Sequence, residues 1–307
     1  MPVKQLHTRK EFIRTSTILV AGALALPGMA MGRKQPRLAF STLGCPDWDF
    51  NRITEFAEQH GYTGIEVRGI QREMDLVKSS IFSSAEARKA TMRRMKEKGL
   101  QFVGLGSSST LHFSEAAQRT KQLDEGRRFI DLAAQINCPY VRVFPNNFPK
   151  NQEKQATMDL ITRGLQELGN HAKGSGVTVL METHGDMVWT ADILQIMEAA
   201  NHPQVALVWD VTNMWTITGE DPVEMYGKLK PYIRHVHVKD ATKAGGKLNY
   251  TFLGKGEVPI MKAIAALRDD RYKGFYSFEW EKLWHPEIAE PDIALADYPA
   301  AIKQQFQ

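Results

Sequence analysis

Short β-type runs alternate with helix-type runs along almost the whole of this 307-residue chain. Arg37 to Leu43, Gly64 to Arg68, Leu100 to Leu105, Tyr140 to Phe144, Val177 to Glu182, Val205 to Asp210, Arg234 to Asp240 and Phe275 to Glu281 read as strands. Between them lie stretches with helical spacing: Ile53, Phe56, Ala57 and His60 before Gly61, then Ala85 to Lys98, Glu115 to Ile136, Lys154 to Lys173, Ala191 to Ala200, Pro222 to Lys230 and Pro259 to Arg268. Strand followed by helix, repeated, is the pattern of a parallel sheet covered by helices. Eight such units in about 275 residues match the count and size of an α/β fold of the (β/α)8 TIM barrel type. A doubly wound sheet of similar size is the alternative. No internal repeat or low-complexity linker interrupts the pattern, so residues 31–307 are expected to form a single domain.

The first thirty residues read differently. Thr8-Arg9-Lys10-Glu11-Phe12-Ile13-Arg14 precedes an uncharged run from Thr15 to Leu26, and Pro27-Gly28-Met29-Ala30 offers small residues for cleavage after Ala30. Residues 1–30 resemble a twin-arginine export signal whose second arginine is lysine. The resemblance implies a periplasmic or otherwise exported protein. The apolar run is too short for a comfortable membrane span, so no stable membrane insertion is expected after cleavage. Most of the formal charge of +4 sits here, where Lys4, Arg9, Lys10 and Arg14 against Glu11 give +3. The body is therefore close to neutral, and charge gives no reason to expect a nucleic-acid partner. With 43% hydrophobic and 24% charged residues, disordered and multi-span membrane classes are excluded. Cys45 and Cys138 are the only cysteines, have neither CxxC nor zinc-site spacing, and are expected to be free.

In a barrel of this kind, chemistry sits at the C-terminal ends of the strands. Those ends carry Glu66 and Arg68, Arg142, Glu182 and His184, Asp210, His237 and Lys239, and Glu279 and Glu281. Strand parity supports the selection. In Arg234-His235-Val236-His237-Val238-Lys239-Asp240 the valines share one face and His235, His237 and Lys239 the other. Ser277, Glu279 and Glu281 likewise oppose Tyr276, Phe278 and Trp280. Four strand ends thus direct Glu182, Asp210, His237 and Glu279 towards one point. Three carboxylates crowded there repel one another unless a cation neutralises them, which predicts a divalent metal. Oxygen-rich ligation with one imidazole suits Mn²⁺, Mg²⁺ or Co²⁺, with catalytic Zn²⁺ also compatible. Glu281 shares the face of Glu279 and is the alternative ligand. His235, deeper in its strand, is expected to support the site or bond substrate, and Lys239 either neutralises an enediolate or pairs with a carboxylate. Glu66, Arg68, Arg142, His184 and Asn213 complete the expected substrate-binding set. Trp48, Trp189, Trp215 and Trp284 flank strand ends, where aromatic faces suit sugar rings. Ala244 to Glu257 reads as a glycine-rich loop, and Gly254 to Gly256 within it lacks the GxGxxG spacing of a dinucleotide site and reads as a turn.

These motifs resemble, in order, those of the xylose isomerase-like barrel family, which includes sugar isomerases and epimerases, inosose dehydratases and endonuclease IV. The resemblance rests on Gly61 to Glu66, Met181-Glu182-Thr183-His184, Trp209 to Asn213, His235 to Asp240, Leu253 to Glu257 and Phe278 to Glu281. It implies that Glu182, Asp210, His237 and Glu279 bind the metal and that Glu182 and Glu279 act as an acid/base pair across an enediolate. Endonuclease IV needs more histidine and carboxylate ligands than this chain offers, which argues against DNA repair. The expected activity is metal-dependent sugar isomerisation or epimerisation by proton abstraction next to a carbonyl, on a small carbohydrate. Two alternatives stand beside it: a lyase that cleaves 3-keto-glycosides by β-elimination, favoured by export, and a non-catalytic periplasmic carbohydrate-binding barrel. Oligomerisation is left open by the sequence.

Overall fold

The computed structural model describes residues 35–307; residues 1–34 fall outside it, and with them the export-signal reading of residues 1–30. Residues 35–307 form one compact unit. Seven strands come first: β1 (Arg37–Ser41), β2 (Gly64–Val67), β3 (Gln101–Thr110), β4 (Tyr140–Phe144), β5 (Thr178–Glu182), β6 (Val205–Asp210) and β7 (Ile233–Val238). A hairpin of β8 (Asp240–Ala244) and β9 (Lys247–Thr251) follows, and then β10 (Phe275–Phe278). β10 pairs in parallel with both β7 and β1, so eight strands close into a barrel. Closure removes the doubly wound alternative.

The helices α1 (Phe50–Gln59), α2 (Ala85–Glu97), α3 (Ala116–Gln135), α4 (Lys154–Ala172) and α5 (Thr190–Ala200) surround the strands, followed by α6 (Val211–Thr218), α7 (Pro222–Leu229), α8 (Ile260–Asp269) and α9 (Pro291–Lys303). Their starts are chemically marked. Asp49 accepts from Arg52 N at the head of α1, Ser84 from Ala87 N at α2, and Asp221 caps α7 with Pro222 in the first turn. Among the described residues no helix is long and apolar enough to cross a membrane.

Parity along the strands divides the molecule into two environments. Outward residues such as Phe40, Ile65, Val141, Met181, Trp209, Val236 and Phe278 join the large apolar core beneath the helices. Inward residues form only small apolar groups, Ala39 with Val103 and Phe275, and Leu180 with Ala206 and Val208. Gly64 shows how closely that floor is packed, because a Cβ there would lie 2.6 Å from Phe275 and Val103. Above the floor the barrel axis is lined by charged groups.

The sequence reading differs from the structure at several boundaries. The eighth barrel strand stops at Phe278, so Glu279 and Glu281 stand just past it, although Glu279 N still donates to Val238 O at 3.1 Å. The third strand runs on to Thr110 through a register shift after Gly106. The stretch expected to be a glycine-rich loop, Ala244 to Glu257, contains the end of β8 and all of β9, joined through Gly245-Gly246, both at positive φ. Two helices, α6 and α9, were not anticipated. α6 starts directly on the last residue of β6, leaving no loop to signal it.

Candidate active site

Glu182, Asp210, His237 and Glu279 each contribute one atom to a group lying within 4.8 Å of one another, all four side chains buried. His237 Nδ1 is 3.3 Å from Glu279 Oε2, 3.6 Å from Asp210 Oδ2 and 3.8 Å from Glu182 Oε1. His237 Nδ1 is buried without a hydrogen-bond partner, and Asp210 Oδ2, also buried, has Lys239 Nζ at 2.9 Å as its ion-pair partner. Three carboxylates and an imidazole at that separation are a donor set that fits a divalent cation.

Each donor is aimed by a second interaction. Asp210 is the N-cap of α6, with Oδ1 accepting from Asn213 N at 2.8 Å and Oδ2 turned towards the other donors. His237 donates Nε2–H to Glu66 Oε1 at 2.8 Å, which leaves Nδ1 free as a ligand atom. Glu66 Oε2 accepts from His235 Nε2 at 2.8 Å and Ser277 Oγ at 2.7 Å. The structure thereby places Glu66 below the mouth with both oxygens engaged, rather than among groups facing substrate. His235 is engaged with Glu66 in the same layer.

Charge pairing sets the protonation states. Burial would lift the Glu182 carboxyl, but Arg142, whose Nε lies 3.0 Å from Glu182 Oε2, holds it below the usual range. Burial also opposes ionisation of Glu279, yet the charges of His237 and Lys239 hold it well below. For His237 burial favours the neutral ring, and the Glu279 and Glu66 charges override it, raising its pKa well above the usual value. Lys239 answers the question the sequence left open. Its Nζ lies 2.6 Å from Glu281 Oε1, 2.7 Å from Glu279 Oε2 and 2.9 Å from Asp210 Oδ2, a salt bridge to three carboxylates. Burial lowers its pKa, and those three carboxylates raise it well above normal. Glu281 differs from Glu182 and Glu279, since burial pushes its pKa up despite Lys239.

The remaining expected residues divide between wall and cavity. Arg142 donates to Ser107 O at 2.8 Å and stacks on Phe144, while Arg68 donates to Gly106 O at 3.3 Å and Ser108 Oγ at 3.0 Å. Both arginines are buried and spend these donors on the irregular end of β3. Asn213 Nδ2 donates to Glu182 Oε1 and Thr183 O, each at 3.3 Å. Asn213 and His184 also line a cavity of about 550 Å³, which Ile217 and the hairpin residues Lys243, Lys247 and Leu248 help to enclose. Burial lowers the His184 pKa. A second cavity of about 330 Å³, lined by Arg37, Tyr140 and Arg234 among others, lies at the strand starts and shares no residue with the donors. Trp48 is buried against Phe56 and Arg52, whereas Trp189 and Trp284 are exposed.

Residues 54–298 match the family model described as xylose isomerase-like TIM barrel. The chain belongs to this family. Among curated proteins it is similar to a 3-dehydroshikimate dehydratase of Bacillus anthracis, 23% identical over 252 residues that span 75% of this chain and 85% of the relative. An inosose dehydratase of Clostridium perfringens is 28% identical over 177 residues, 52% of this chain and 57% of that protein, so the match spans little more than half the relative's length. Among solved structures, an IOLI protein with a bound zinc atom has a TM-score of 0.73 at 17% identity, covering 88% of this chain and 99% of that one. The 3-keto-D-glucoside 4-epimerase YcjR of E. coli has a TM-score of 0.71 at 15% identity, covering 88% and 100%. These structures share the fold.

Within this xylose isomerase-like barrel, sequence reasoning missed the bond between Asn146 and His184 and the hairpin lysines at the cavity wall. Asn146 directly follows Pro145 at the end of β4, a turn position. Gly245-Gly246 is itself a two-residue hairpin signal.

Proposed function

We propose that this barrel is a divalent-metal-dependent enzyme that removes a proton next to a carbonyl of a small polyhydroxylated substrate. The observation that carries this reading is the shared cluster of Glu182, Asp210, His237 and Glu279, in which three buried carboxylates converge on His237 Nδ1, a buried atom without a hydrogen-bond partner. A bound divalent ion would polarise the carbonyl and stabilise the charge that develops on its oxygen. The chain's own residues manage the protons. Glu182, held ionised beside Arg142, accepts the α-proton. Glu279, which shares Lys239 with Glu281, stands on the other side and returns a proton. Returning a proton to carbon gives an isomerase or epimerase.

A second outcome, elimination of a β-substituent, is favoured by the same Lys239–Glu281 pair, which can protonate a departing oxygen. Two curated relatives similar to this chain carry dehydratase names, which supports weighing that outcome equally. The twin-arginine-like residues 1–30 support export, and glycosides are then the accessible substrate class.

The test is solvent deuterium incorporation over a panel of free, keto and glycosidic sugars, with and without EDTA. Metal-dependent exchange is expected. Glu182→Gln and Glu279→Gln should abolish it while leaving the thermal unfolding profile cooperative, and wild-type rates in either variant would refute the assignment. Aglycone release without interconversion of free sugars selects the lyase. Sugar binding indifferent to EDTA, with no exchange, selects the non-catalytic barrel. Fractionation of the full chain between periplasm and cytoplasm tests export.

A further inference from the structure

We infer that Asn146 is a positioning residue that fixes His184 as its Nδ1–H tautomer, presenting Nε2 to the cavity as a hydrogen-bond acceptor for a substrate hydroxyl. Ring and amide orientations are settled by following each proton through a short relay. Thr110 Oγ1 has one hydrogen and donates it to Ser108 O at 3.1 Å. It can therefore only accept from Asn146, whose Nδ2 lies 3.4 Å away. With the amide nitrogen directed at Thr110, Asn146 Oδ1 is the atom facing His184 Nδ1 at 2.9 Å. A carbonyl oxygen accepts, so Nδ1 carries the hydrogen. In the neutral ring Nε2 is then the lone pair, and no other described group is bonded to it.

The relay is held at both ends. Thr110 N donates to Gln122 Oε1 at 2.7 Å and Ser108 N to Glu125 Oε1 at 2.6 Å, tying the end of β3 to α3. Asn146 has φ +56°, a left-handed conformation that asparagine tolerates better than most residues. Its carbonyl accepts from Asp186 N at 3.2 Å. Gly185 packs against it so closely that a Cβ would lie 2.9 Å from Asn146 O. Phe144 lies against the imidazole at 4.6 Å between centroids. A backbone strained at a residue whose side chain bonds a cavity-lining histidine fits a role in that site.

This inference rests on the cavity's being the substrate site, but its test needs no turnover. His-labelled protein carrying ¹⁵N and loaded with Zn²⁺ is examined by long-range ¹H–¹⁵N correlation at neutral pH, with His184→Gln supplying the assignment. Wild type should show His184 with protonated Nδ1 and bare Nε2. Asn146→Gly keeps the left-handed backbone but deletes the amide, and should lose the pure Nδ1–H pattern; Asn146→Asp restores an acceptor and should recover it. An Nε2–H tautomer in wild type, an unchanged ring in Asn146→Gly, or no recovery in Asn146→Asp would each overturn the inference. Absence of deuterium exchange would instead refute the proposed reaction and leave the tautomer result standing.

Discussion

Glu66→Gln isolates the contribution of a residue that touches none of the other metal-site carboxylates. Glu66 accepts three hydrogen bonds, from His237 Nε2, His235 Nε2 and Ser277 Oγ. A glutamine keeps one acceptor and turns a donor towards the remaining side. If the NH₂ faces His237, the ring must carry its hydrogen on Nδ1 and is lost as a ligand. If it faces His235 and Ser277, both can reorient, but His237 loses the carboxylate charge that strengthens it as a base. Outer-shell replacements of this kind cost roughly 10- to 100-fold in metal affinity. That is about 1.4–2.7 kcal/mol. The metal-stripped variant should also lose about 1–3 kcal/mol of folding stability, the cost of a buried polar group left badly paired. Competition with a chelator gives the affinity, and the Co²⁺ absorption spectrum reports whether the donor set is intact. An affinity equal to wild type would refute the assignment of His237 as a ligand oriented by Glu66.

Two further perturbations test the charge arrangement. The raised pKa of His237 means that this group stabilises the metal-stripped fold fully below its unfolded value of about 6.5 and loses that contribution as pH rises through the higher folded value. Metal binding at neutral pH must therefore displace a proton, and calorimetry in buffers of different ionisation heat should show a buffer-dependent enthalpy; a buffer-independent one contradicts the assignment. Lys239→Met leaves Asp210, Glu279 and Glu281 without their shared cation, at a cost of about 3–5 kcal/mol in the metal-stripped protein. Urea unfolding should show part of that loss recovered by added divalent metal, and an equal loss with and without metal would argue against a common site.

The donors were legible in the sequence because strand side chains alternate with period two, so a residue's face follows from its neighbours. Val236 and Val238 facing the core determine where His235 and His237 point, and Tyr276 and Phe278 do the same for Ser277. What parity cannot supply is reach across the barrel. Glu66 meets histidines 169 and 171 residues away, and nothing local to Glu66 distinguishes that from a rim position. The partners of the arginines were hidden for a related reason: Arg68 and Arg142 bond the irregular end of β3, where Ser108 N and Thr110 N donate to Glu125 and Gln122 of α3. The hairpin was hidden by composition, since a stretch containing Gly245, Gly246, Gly254 and Gly256 reads as loop although β8 and β9 pair through Gly245-Gly246. Asp240 secures its base, accepting from Gly254 N at 2.8 Å and Gly256 N at 3.0 Å.

The stretch from His235 to Lys239 then has a simple axial logic. Residues two apart on a strand face the same side and are separated by about 6.6 Å along it. His235 lies in the supporting layer with Glu66 and Ser277. His237, one step up, shares Glu66 but turns its other nitrogen to Glu279, Asp210 and Glu182. Lys239, one further step, bonds Glu279 and Glu281 at the mouth. Support, donor and cation are thus stacked by the period of a single strand. A one-residue register slip in β7 would turn all three towards the helices and bring Val236 and Val238 to the axis. The closed pairing of β7 with β6 and β10 is therefore as necessary to the site as the donors themselves.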